Sequence, residues 1–226
     1  FSWNKEHLDQ IADYEMYGLS AEKNGSRGFA KSPVTLYWEN IYAGYRYFDT
    51  FGKRVLYPFG FGLTYTSFEI SSSGIKKTAD GIEITSRVKN TGDRAGREVV
   101  QIYLSVYSAG NRNLQTNTLE RPYQELKGFE KTSLLAPDST ETLRILIPWR
   151  ELAAYDEKRA AWVIDEGGYL VRMGNSCANT FPAGIICADE TILVEQCVNR
   201  LGVAECNRGK VEFLMKKGQG AGNRAD

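Results

Sequence analysis

The sequence predicts a mainly β chain built round a sandwich of the immunoglobulin or fibronectin type, on three observations. From Ser67 onwards, short runs of alternating apolar and polar residues replace an irregular N-terminal stretch. Clusters of turn-forming residues such as Asn90-Thr91-Gly92-Asp93 separate these runs. The runs add up to about seven or eight strands, the number such a sandwich contains.

The elements follow in order. Ser67–Ser72 reads as the first strand, and Gly81–Lys89 as the second, with Ile82, Ile84, Ser86 and Val88 alternating against polar partners. Glu98–Tyr107 places Val100, Ile102, Leu104 and Val106 on one face. Ser108–Glu120 is a polar loop, and Tyr123–Lys131 contains the next strand. Leu135-Ala136-Pro137-Asp138 turns the chain into Thr140–Pro148, where Leu143, Ile145 and Ile147 share a face. Glu151–Tyr155 reads as a short helical turn, and Ala160–Asp165, Gly168–Gly174 and Ile185–Val194 supply the last strands.

The flanks differ in character. Residues 1–32 are polar and irregular, with helical character around His7–Met16, turns over Ser20–Gly28 and an extended Pro33–Asn40. An aromatic run, Ile41–Asp49, precedes the Gly- and aromatic-rich stretch Tyr57–Thr66, which suits a packed connection better than a regular element. Beyond Glu195, Cys206–Lys217 carries Val211, Leu214 and Met215 at helical spacing and leads into a Gly-rich polar tail.

Composition narrows the function classes. The 226 residues carry 28 Lys+Arg and 28 Asp+Glu, so the formal charge is zero. Balanced charge with no basic run beyond a Lys-Lys pair argues against nucleic acid as a partner. No stretch approaches the ~20 apolar residues of a membrane span, so no membrane partner is expected. His7 is the sole histidine, which disfavours a Ser-His-Asp triad and a multi-histidine metal centre. The spacing of Cys177, Cys187, Cys197 and Cys206 leaves buried thiols, disulfides and, least in keeping with it, a metal as readings. The compartment stays open, with a cytoplasmic setting favoured over a secreted one. Phe1 in place of Met reads as a truncation point.

Carboxylates are numerous but dispersed. Asp138, Asp156, Glu157, Asp165 and Glu166 fall in turns, where such side chains are commonly solvated. Glu39 and Asp49 flank the aromatic run, and Asp49 is placed to pair with Arg46 three residues before it. Tyr42, Tyr45, Tyr47, Phe48, Phe59, Phe61 and Tyr65 read first as the packing of a domain junction and second as a sugar-stacking platform.

Two aromatic motifs then become specific together. Tyr42-Ala43-Gly44-Tyr45-Arg46-Tyr47-Phe48-Asp49 and Tyr57-Pro58-Phe59-Gly60-Phe61-Gly62-Leu63-Thr64-Tyr65-Thr66-Ser67-Phe68 resemble the junction of glycoside hydrolase family three, the β-glucosidase and β-xylosidase family. Val88-Lys89-Asn90-Thr91-Gly92, Glu98–Leu104 and Arg121-Pro122-Tyr123-Gln124-Glu125-Leu126-Lys127-Gly128-Phe129 extend the resemblance, which covers roughly 34–201.

The resemblance implies residues 1–66 as the end of an α/β sandwich domain with its aromatic junction. It implies 67–197 as a fibronectin type III-like domain, and 198–226 as a helical linker towards a further domain, as in bacterial members with swapped domain order. It implies retaining hydrolysis by an aspartate of a (β/α)₈ barrel and a glutamate acid/base. The nucleophile's Ser-Asp-Trp type motif is absent here, and Glu6, Glu15 and Glu22 match nothing that would make one of them the acid/base. No catalytic residue is assigned, and neither cofactor nor metal is expected. Tyr45, Arg46, Asp49, Tyr57, Pro58, Phe59, Phe61 and Tyr65 are the expected docking residues. Their expected partners are the barrel and α/β sandwich domains of one parent chain, with a β-glucoside or oligosaccharide as its substrate. The alternative is a free-standing carbohydrate-binding or adhesive fibronectin-type module.

Overall fold

The computed structural model describes residues 40–107 and 119–198. In chain order the elements are α1 (Tyr45–Thr50), β1 (Phe68–Lys77), β2 (Gly81–Asn90), β3 (Val99–Tyr107), β4 (Glu125–Lys131) and β5 (Thr140–Pro148). They continue with α2 (Trp149–Leu152), β6 (Ala154–Asp156), β7 (Ala161–Ile164), β8 (Gly167–Ser176), β9 (Asn179–Ala188) and β10 (Ile192–Gln196). One sheet runs β1-β2-β5, a second β4-β3-β8-β9, and a small third β10-β7-β6.

The core follows from alternation. Ile82, Ile84 and Val88 of β2 and Leu143, Ile145 and Ile147 of β5 point inward from the first sheet. They meet Val100, Ile102 and Leu104 of β3 and Tyr169, Val171 and Met173 of β8. Every second residue of each strand is thereby removed from water, the arrangement that makes a two-layer sandwich stable. Burying each such aliphatic side chain contributes about 1.5–3 kcal/mol before chain entropy is counted.

The Asn90-Thr91-Gly92 motif is a buried staple. Asn90 is fully buried, and its Nδ2 donates to the carbonyls of Arg94 at 2.7 Å and Leu135 at 2.9 Å. Its Oδ1 accepts from Thr66 Oγ1 at 2.8 Å and the Gly92 N–H at 3.1 Å. A Cβ on Gly92 would lie 2.2 Å from Thr66 Oγ1 and 2.8 Å from the Ser67 nitrogen, so the close approach of the two segments requires glycine.

Several expected boundaries move. The first strand continues past Ser72 to Lys77, because an irregularity between Ser72 and Gly74 lets the ladder resume at Gly74 opposite Thr85. Ile185–Val194 is not one strand. β9 ends at Ala188, and β10 starts at Ile192 in a different sheet. β9 begins as early as Asn179 despite Pro182, which sits at a register shift on an edge strand, where a missing N–H is tolerated. The helical turn occupies Trp149–Leu152, earlier than expected, and Ala154–Asp156 is extended. Val106 is half-buried rather than in the core. The expected features over residues 1–39, the loop at 108–118 and the helix over Cys206–Lys217 lie outside the described residues.

Candidate functional site

The outer face of β3 should be wet in a simple sandwich, yet Gln101, Tyr103 and Ser105 are all buried. What covers it is the aromatic junction. On α1, positions 45, 48 and 49 fall on one side of the helix, and Phe48 is buried. Tyr45 stacks on Phe59 with ring centroids 4.7 Å apart and meets Tyr103 edge-on at 6.1 Å. Junction residues 41–66 belong to the same compact unit as the sandwich, Ile41–Asn199.

Polar groups fix the register of this layer. The Leu126 N–H donates to Tyr45 Oη at 2.7 Å, and the Tyr123 N–H to Thr50 Oγ1 at 2.9 Å. Gln124 Nε2 donates to Asp49 Oδ2 at 2.8 Å and to the Cys177 carbonyl at 2.7 Å. The Cys177 N–H donates to the Phe59 carbonyl at 2.9 Å, and its thiol lies 3.7 Å from Asp49 Oδ1. Tyr103 Oη donates to Gln101 Oε1 at 2.6 Å, while Gln101 Nε2 reaches the carbonyls of Asn175 at 2.7 Å and Gly60 at 3.4 Å. Gly60 has φ 82°, and a Cβ there would strike the Gln101 amide at 2.4 Å.

Burial, reinforced by the Asp49 carboxylate, pushes the Cys177 thiol up to about 12. Burial likewise raises the Tyr103 and Tyr45 phenols. All three groups therefore stay neutral near pH 7, which suits hydrogen-bonded packing rather than nucleophilic or acid–base chemistry.

Beside this layer, Arg121 Nη2 meets Asp165 Oδ1 at 2.5 Å, with side-chain exposures of 6% and 1%. Tyr169 Oη donates to the Asp165 carbonyl at 2.6 Å and its Oδ1 at 2.9 Å. Burial pulls the Asp165 carboxyl upward, but Arg121 and Tyr169 outweigh it and hold the group below the usual carboxylate range.

The expected docking residues divide into two sets. Tyr45, Asp49 and Phe59 turn into the sandwich, as the contacts above describe. Tyr57, Phe61 and Tyr65 are 54%, 48% and 91% exposed, while Pro58 is half-buried and closes a turn by accepting from the Phe61 N–H at 3.1 Å. Arg46 does not pair with Asp49. It meets Glu125 Oε1 at 3.3 Å, because the Asp49 carboxylate points the other way, into the Gln124 amide. Asp165, expected to be solvated, is the most deeply paired carboxylate of the turns. Cys177 is buried, Cys187 exposed and Cys197 half-buried, and all three are free thiols; Cys206 lies outside the described residues. Glu39 does too.

Sequence reasoning did not single out the receiving side: Gln101, Tyr103, Gln124, Glu125 and Cys177. One signal was present. Arg121–Phe129 is polar where it should bury, which marks a segment whose polar atoms have internal partners.

A fibronectin type III-like domain model matches residues 98–177. The chain is 41% identical over 194 residues to a β-glucosidase of Ruminococcus albus, covering 83% of this chain and 19% of that protein. In three dimensions it is similar to β-glucosidase 3B of Thermotoga neapolitana, with TM-score 0.62 and 38% identity over 70% of this chain and 21% of that one. A GH3 β-glucosidase of Bifidobacterium adolescentis superposes with TM-score 0.55 and 32% identity over 74% of this chain and 23% of the other. This chain carries the fibronectin type III-like region of glycoside hydrolase family three. It spans about a fifth of the length of these relatives. Within the family-three region, an aromatic motif and one of the segments that extend the resemblance are partners: Tyr45–Thr50 lies on Arg121–Leu126.

Proposed function

We propose that this chain is the non-catalytic scaffold portion of a family-three glycoside hydrolase whose intact form cleaves terminal β-glycosidic bonds with retention. Its role is to hold the catalytic barrel and α/β sandwich domains of the same parent chain in register through the junction. The observation that carries this reading is the junction's two-sidedness. One side is bound to the sandwich through Tyr45, Asp49 and Phe59, while Tyr57, Phe61 and Tyr65 present exposed rings on the other. Burying two such rings against a partner contributes about 3–5 kcal/mol to domain association.

The carboxylates support the non-catalytic role. Retaining hydrolysis uses two carboxyl groups about 5–5.5 Å apart across a sugar. Asp49 and Asp165 are instead engaged by Gln124 and Arg121. The bound sugar and the nucleophile belong to the remainder of the parent chain, in the swapped order if the barrel follows.

The test is an assay of the 226-residue chain with aryl β-glucosides, together with calorimetric titration by cello-oligosaccharides. Neither turnover nor heat is expected. Turnover that survives purification overturns the scaffold role, and saturable sugar binding supports a carbohydrate-binding module instead.

A further inference from the structure

The junction and the sandwich are held by different kinds of contact. The hydrophobic core is assembled from residues of the sandwich, Phe68 onwards, and none of its members comes from residues 41–66. The junction lies on the outside of that core and meets the sandwich through contacts that include the edge-on Tyr45–Tyr103 ring pair, the Arg46–Glu125 ion pair and discrete hydrogen bonds. Its far side is already wet, with Phe51 and Leu56 51% and 66% exposed.

Its C-terminal end has the form of a hinge. Thr66 is anchored through Asn90, and the Thr91 N–H donates to the Ser67 carbonyl at 2.8 Å. Just before that anchor, Leu63 and Tyr65 are 92% and 91% exposed, and Gly62 has no atom within 4 Å of where a Cβ would stand. Rotation over 62–65 therefore breaks no core contact. Lifting the layer uncovers polar groups, Gln101 and Gln124 among them, which water then satisfies, so part of the cost of opening is returned.

We propose that residues 41–62 form a strap that opens as one unit from the outer face of the four-stranded sheet while the sandwich stays folded, uncovering the Cys177 thiol. The strap is thus a local opening unit with its own free energy, lower than that of global unfolding. Such a unit would let the parent chain shift its domains without disturbing the scaffold's core. The inference stands on the packing of this chain and does not depend on the glycosidase reading.

Cys177 reports the opening in the full 226-residue chain. With the strap closed the thiol is shielded and protonated; with it open, the thiol is reactive in the ordinary way. The experiment is pulsed labelling with an aromatic disulfide reagent at pH 8, resolved by peptide mass spectrometry, across low urea concentrations. Exposed Cys187 is modified first. Cys177 is expected to react slowly, with a urea dependence much shallower than that of the far-UV unfolding transition. Asp49→Ala is expected to speed Cys177 labelling at least ~10-fold, whereas the core variant Ile84→Val should leave it within about twofold. If Cys177 labelling instead follows the full urea slope of global unfolding, or rises several-fold in Ile84→Val in step with lost stability, the strap does not open separately.

Discussion

The two sheets of this sandwich turn different outer faces to their surroundings. On the β1-β2-β5 side, Glu69, Ser71, Arg87, Lys89 and Thr140 line a shallow polar groove open to water. On the four-stranded side, Gln101, Tyr103 and Ser105 are 5%, 0% and 6% exposed beneath the junction. Both faces carry polar side chains, yet only on the second do they depend on the protein for partners: Gln101 and Tyr103 find them, whereas the buried Ser105 hydroxyl has none among the described residues. Desolvated polar atoms are costly when orphaned, so the covered face is a network and the open face a scatter of charges.

The largest contrast lies between two ion pairs. Arg121–Asp165 is buried beside the covered face. Asp165→Ala leaves the Arg121 guanidinium without its counter-charge in a dry site and should cost roughly 3–5 kcal/mol, read as a fall in the urea midpoint. Because the folded carboxyl is held below its ordinary value, the pair's contribution is complete above the ordinary carboxylate range and is lost as pH falls through the folded value. Wild-type stability should therefore drop more steeply on acidification than that of Asp165→Ala. An Asp165→Ala midpoint within experimental error of wild type at pH 7 would show the pair to be solvated.

Next comes the ring beneath the strap. Tyr103→Ala removes a fully buried side chain together with its hydrogen bond to Gln101, and should cost about 3–5 kcal/mol. Arg87→Ala, on the open face, should stay within about 0.5 kcal/mol. Equal costs in thermal denaturation would erase the distinction between the faces.

These effects show why part of the molecule was legible in its sequence. The core was readable because alternation is local: Ile82, Ile84 and Val88 announce an inward face without reference to any other segment. The Asn90–Gly92 turn was readable for the same reason. The receiving side of the junction was not, because Gln124 and Cys177 acquire their roles only when Asp49, far away in sequence, arrives between them. Periodicity in β3 correctly separated Val100, Ile102 and Leu104 from Gln101, Tyr103 and Ser105. It carried no information on whether the second set meets water or protein. The pairing of Arg46 with Asp49 failed on the same point: helical spacing allowed it, and tertiary partners took both side chains elsewhere.

The covered face also has an alkaline signature. The Cys177 thiol rises from an ordinary 9.0 to about 12 in the folded chain, so the unfolded chain ionises first. Stability owed to the neutral thiol is complete below about pH 9 and is lost as pH rises towards the folded value. Urea midpoints measured between pH 8 and 10.5 should decline less in Cys177→Ala than in wild type. The open face holds no described cysteine and predicts no such difference. Parallel declines in the two proteins would place the thiol in water.

The smallest expected effect belongs to the open face's own ion pair. Lys89 Nζ lies 3.2 Å from Asp138 Oδ1, with side-chain exposures of 44% and 87%. In high-dielectric surroundings such a pair gains little, and ordering a long lysine side chain offsets much of that gain. Asp138 has φ 61°, a left-handed conformation that asparagine also adopts readily. Asp138→Asn therefore removes the charge without straining the backbone, and its stability should lie within about 0.5 kcal/mol of wild type. Raising the ionic strength should close even that gap, since exposed charges are screened over roughly 8–10 Å at moderate salt. If Asp138→Asn costs as much as Asp165→Ala, burial is not what separates the two pairs, and the contrast between the faces rests on the wrong variable.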